Sequence, residues 1–62
     1  MSNLPAIGAH VRVPWGAGSA EGDVVDAYDS GFGGQVVVAV LLEGNDEPMT
    51  VTFRASAVEL AA

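Results

Sequence analysis

The residues able to do chemistry in this chain are few. His10 is the sole histidine, and there is no cysteine. A histidine acting as a general base needs a nucleophile or a second ionisable group arranged within reach. No serine, cysteine or second histidine stands where it would supply one. Eight carboxylates face only two basic side chains, Arg12 and Arg54. Glu21, Asp23, Asp26 and Asp29 recur along one stretch. On a strand of period two, Asp23 and Asp29 share one face and Asp26 takes the other, so no single metal-binding face is expected. The turn Glu43-Gly44-Asn45-Asp46-Glu47 lacks the spacing of a calcium loop. Gly16-Ala17-Gly18 and Gly31-Phe32-Gly33-Gly34 are glycine-rich, but neither leads into a helix, as phosphate cradling requires. The expectation is therefore no catalytic residue, no cofactor and no metal site. The carboxylates read as solvated groups that keep strand edges from sticking.

Composition narrows the partners. The chain has 62 residues, a net charge of −6 and no lysine. Two arginines are too few for binding by release of counterions from a phosphate backbone, so no nucleic acid is expected. An anionic membrane surface is disfavoured for the same reason. The N-terminus lacks a basic region followed by a long apolar run, and no apolar run is long enough to span a bilayer. The expectation is a cytoplasmic protein of one domain, residues 1–62, with residues 1–6 as a lead-in. A domain of about 60 residues buries only roughly 60% of the surface its unfolded chain exposes. Without disulfide or metal, stability must come from a compact apolar core, from oligomerisation, or from both. Half of the residues are hydrophobic, with valine prominent, and β-branched residues favour strands.

Glycine and proline divide the chain into short strands. Residues 9–15 alternate, with Val11, Val13 and Trp15 on one face and His10 and Arg12 on the other. After a loop at residues 16–19, a second strand runs over residues 20–28, with a bend at Gly22. Residues 29–34 form a turn rich in residues that accept positive φ. Gln35-Val36-Val37-Val38-Ala39-Val40-Leu41-Leu42 is an unbroken apolar strand signal, and such a strand wants cover on both faces. An acidic turn over residues 43–48 leads to a fourth strand, residues 49–54. Closing that turn as a hairpin places Leu42 opposite Met49, Val40 opposite Val51 and Val38 opposite Phe53, one apolar face assigned to the core. A 3₁₀ turn at residues 55–57 and a short strand at residues 58–60 end the chain. Five short strands with tight turns predict an all-β, strongly bent small barrel.

This order of elements resembles the SH3-like barrels, the group that includes the Tudor domains. The resemblance is carried by Ile7-Gly8-Ala9-His10-Val11-Arg12-Val13 as an opening strand and by the step Gly22-Asp23-Val24-Val25 into the second. Phe53-Arg54-Ala55-Ser56-Ala57-Val58-Glu59-Leu60 stands as last long strand, 3₁₀ turn and final strand. It spans nearly the whole chain and implies a fold shared by many unrelated functions. The type II dihydrofolate reductases, short SH3-like barrels of which four copies surround a pore, are similar at a coarser level. Their Val-Gln-Ile-Tyr run corresponds here to Thr50-Val51-Thr52-Phe53. The glutamine, the tyrosine and the basic residue expected near Val13 are absent, and with them the groups that would hold an anionic folate and a nicotinamide.

Two contact surfaces follow. The face of strands three and four opposite the core presents Val37, Ala39 and Leu41 beside Thr50, Thr52 and Arg54. The Tudor resemblance also implies an aromatic rim of Trp15, Tyr28 and Phe32 for a cationic group, held by cation–π attraction. Against it stands the plainer reading that Trp15 and Phe53 fill the core and Tyr28 covers a barrel end. The expected function is a non-enzymatic module that binds a protein or peptide, or forms a homodimer through the outer face of strand three. The alternative is an enzyme whose active site exists only in an oligomer, like the type II reductases.

Overall fold

Alternation of valine with polar residues lays down the sheet. The computed structural model describes residues 4–31, 33–42, 44 and 46–61. In β1 (His10–Trp15), Val11 and Val13 are buried while His10, Arg12 and Pro14 are exposed. In β3 (Gly33–Val40), Val36, Val38 and Val40 are each fully buried. Between them runs β2 (Gly18–Ser30), which is followed in the sheet, beyond β3, by β4 (Met49–Arg54). A 3₁₀ turn at Ala55–Ala57 precedes the two-residue β5 (Glu59–Leu60). The protein is all-β: one antiparallel sheet in the order β4-β3-β2-β1-β5.

The sheet is unable to lie flat. Its two edges, β4 and β5, are four strand spacings apart in the sheet order, about 19 Å in a flat sheet. The chain joins Arg54 to Glu59 through one 3₁₀ turn and a single extended residue. That connection reaches only about 13 Å, so the edges must be drawn together by curling. The concave side holds the core, where the fully buried hydrophobic side chains among the described residues are all valine, Val11, Val13, Val24, Val36, Val38 and Val40, each at most 2% exposed. Leu4, Trp15, Phe53 and Val58 pack around its margin.

Two local features of β2 produce the bend. The register against β3 shifts between Val24 and Asp26, leaving Val25 as the extra residue of a β-bulge, a feature that bends a strand and increases its twist. At Gly22, a Cβ would stand 2.3 Å from the Ala39 carbonyl oxygen and 2.8 Å from Val38 Cγ1, so β3 approaches where a side chain would be. The bulge also changes the parity of the carboxylates. Asp23 lies opposite Ala39 and Asp26 opposite Val37, so both belong to the outer face. The expectation that they occupy opposite faces assumed an uninterrupted period of two.

Other boundaries move by small amounts. The first turn is only Gly16-Ala17, since Trp15 pairs with Gly18, and β2 is correspondingly longer at both ends. The third strand ends at Val40 rather than Leu42. In the β3–β4 pair, Val40 lies opposite Met49, Val38 opposite Val51 and Val36 opposite Phe53. The expected hairpin is thus displaced by two residues. The faces survive because a shift of two preserves parity, whereas the apolar pattern alone does not choose between such registers. Among the described residues no helix is long and apolar enough to cross a membrane.

Candidate functional site

The β3–β4 pair places most of the expected contact residues on one strip. Thr52 lies opposite Val37, Thr50 opposite Ala39, and Arg54 opposite Gln35. Val37 and Ala39 are half-buried, while Thr50, Thr52 and Arg54 are exposed. Leu41 follows the last residue of β3 and is 61% exposed. The strip therefore runs from Leu41 at one end to Arg54 at the other. The expected register would set Arg54 opposite Val37; the observed one sets it opposite Gln35, two residues further from Leu41. Hydroxyls and short aliphatic groups cover its centre, without a carboxylate on either strand.

Beside this strip, β1 and β2 carry charges. The register puts His10 opposite Asp23 and Arg12 opposite Glu21, with Glu59 on the other side of Arg12. His10 Nδ1 is 3.1 Å from Asp23 Oδ1, and its Nε2 is 2.7 Å from Glu21 Oε1. Both ring nitrogens can donate at once only in the imidazolium form, so protonation of His10 is what completes the two hydrogen bonds. The hydrogen bond to Asp23, then that to Glu21, raises the His10 pKa above its ordinary value of 6.5. The two nitrogens point to different carboxylates rather than to one common point. Among the described residues, no group of three or more His, Asp or Glu side chains is placed to hold a metal ion. The sequence does not show this clasp, because a four-residue loop at residues 16–19 would set Arg12 rather than His10 opposite Asp23. A two-residue turn at Gly16-Ala17 aligns His10 with Asp23 directly.

The aromatic rim is not assembled. Trp15 pairs with Gly18 at one end of β2, and Tyr28 pairs with Gln35 near the other. Tyr28 stands ten positions beyond Gly18 in β2, at most about 33 Å along the strand. Trp15 packs at the margin of the valine core, whereas Tyr28 is exposed on the outer face. Phe32 lies outside the described residues. A shallow apolar groove of about 490 Å³ opens elsewhere, between the lead-in at Leu4 and Pro5 and the segment carrying Val58 and Leu60.

Compared with protein-family models, with curated proteins and with solved structures, the chain matches none. The arrangement itself offers two kinds of contact. The β3–β4 strip suits packing and hydroxyl hydrogen bonds, and the β1–β2 strip suits ionic contact.

Proposed function

We propose that the protein is a small SH3-like interaction module of the cytoplasm rather than an enzyme, with the outer strip of β3 and β4 as its contact surface for a protein or peptide. The observation that carries this reading is the uncharged strip itself. In a chain of net charge −6, Val37, Ala39, Thr50 and Thr52 adjoin one another on the outer face, ending at an exposed Leu41. A patch centre without charge, with charge at its margin, matches the layout of a protein contact surface, whose core is depleted of charged residues and whose rim is polar. Arg54 at the strip's end adds a residue type enriched in such contacts.

Selection of displayed peptides on the immobilised protein tests the reading. Peptides that bind the native chain and are lost on Leu41→Glu and Thr52→Glu support it. Peptides that bind these variants equally well place the contact elsewhere and reject it. Saturable binding of dihydrofolate or a nicotinamide nucleotide would replace it with the oligomeric-enzyme alternative.

A further inference from the structure

We propose that β4 is a self-pairing edge: two copies of the chain align their Met49–Arg54 strands antiparallel about a two-fold axis, so that Arg54 of each meets Asp46 of the other. The sheet has two edges. One, β5, is only two residues long, which is itself a form of edge protection. The other, β4, has six residues and among the described residues pairs with β3 alone. Its free side presents unpaired backbone donors and acceptors, a template for another strand. The usual safeguards are missing there. The chain contains no lysine, and Met49 through Phe53 include no proline and no charge.

The strand's own sequence says what fits it. Asp46 and Glu47 stand just before β4, and Arg54 is its last residue. Charge thus runs from acid to base along the strand, and antiparallel pairing of identical strands sets acid against base twice. A continuous sheet also requires that paired residues share a face, so the two-fold axis must pass through a residue. Centred on Val51, it pairs Thr50 with Thr52 on the outer face and Met49 with Phe53 on the inner. It sets Arg54 opposite Pro48 and, on the same face, diagonal to Asp46. Threonine pairs and apolar pairs across strands are favourable, and Met49, 48% exposed in the single chain, gains cover. Among the described residues Arg54 makes no ion pair within its own chain. The net charge of each copy opposes association, but charges separated by more than about 8 Å are largely screened at physiological ionic strength. Pairing joins the two sheets and lays their neutral strips side by side. Only this last consequence rests on the proposed contact surface; the pairing itself does not.

Charge reversal tests the pairing. Sedimentation velocity over a concentration series is expected to show a dimer of the native chain. Arg54→Glu sets glutamate against Asp46 at both ends, and Asp46→Arg sets arginine against Arg54. Each is expected to weaken self-association by about tenfold or more. An equimolar mixture of the two variants restores complementary charge at both ends of the mixed pair. It is expected to dimerise as the native chain does, with mass-tagged chains reporting mixed dimers. Circular dichroism checks that each variant is folded, and recovery in the mixture is itself evidence of folding. A native chain monomeric at every concentration overturns the proposal. So does a mixture that shows no recovery, or a dimer abolished by Leu41→Glu but indifferent to the charge reversals. Peptide binding that depends on Leu41 in a monomeric chain would leave the contact surface standing while the edge pairing fails.

Discussion

The outer face of the sheet carries two unlike strips over one uniform core. Beneath β1 and β2 lie Val11, Val13 and Val24; beneath β3 lie Val36, Val38 and Val40. Folding asks the same of both halves, and valine answers it in both. Above them the halves diverge. His10, Arg12, Glu21 and Asp23 make the first strip ionic, while Val37, Ala39, Thr50 and Thr52 make the second neutral. Since the core does not require this difference, it bears on what the face meets. The ionic strip satisfies itself through His10, Glu21 and Asp23. Among the described residues the neutral strip has no side-chain partner, and it adjoins β4, the longer of the sheet's two edges.

The inner side should break first and hardest. Val38 is fully buried, and Val38→Ala is expected to cost about 2–4 kcal/mol through lost burial and a residual cavity. Its neighbour Val37 is only half-buried, and Val37→Ala should cost less than about 1 kcal/mol. Urea unfolding of the two variants measures the contrast. Equal losses would mean that the outer strip is already covered within the single chain.

Gly22 stands where the halves meet. A Cβ there would overlap the Ala39 carbonyl, so Gly22→Ala is expected to cost about 1–3 kcal/mol, as overpacking does. Gly31 has open space around the same atom and an ordinary backbone. Thermal unfolding should therefore show Gly31→Ala near native, within about 0.5 kcal/mol.

Leu41→Glu acts on the neutral strip alone. Its side chain is mostly solvent-exposed, so folding stability should change by about 0.5 kcal/mol or less, while capture of selected peptides is lost. A large loss of stability instead would make Leu41 part of the core margin.

The smallest effect belongs to the ionic strip. The folded-state pKa of His10 is raised above 6.5. The protonated form is thus favoured by folding, so its contribution is fully present below pH 6.5 and is lost as pH rises through the folded value. The melting temperature of the native chain should exceed that of His10→Gln below pH 6.5, and the two should converge at higher pH. A difference independent of pH would mean that the clasp does not depend on the imidazolium.

Much of this was legible in the residues. Alternation at Val11 and Val13, the apolar run from Val36 to Val40, and the Thr50–Thr52 alternation define which side chains face the core, because a strand has period two. Glycines at the turns and Ala55-Ser56-Ala57 before the last strand mark where the strands end. Offsets along the strands were not legible. Leu41 and Leu42 extend the apolar run without pairing, so composition favoured a shorter turn than the one formed.

The chain's sequence therefore determined the all-β class, the strand count and the inner and outer faces of β1, β3 and β4, since these follow from local periodicity and turn chemistry. Only the tertiary structure decided the β3–β4 register, the bulge at Val25 that puts Asp23 and Asp26 on one face, the separation of Trp15 from Tyr28, and the clasp around His10. Each of these depends on how many residues a turn or a bulge consumes. That number is set by the competition among whole-strand pairings and the closing of the sheet around its core, not by any residue alone.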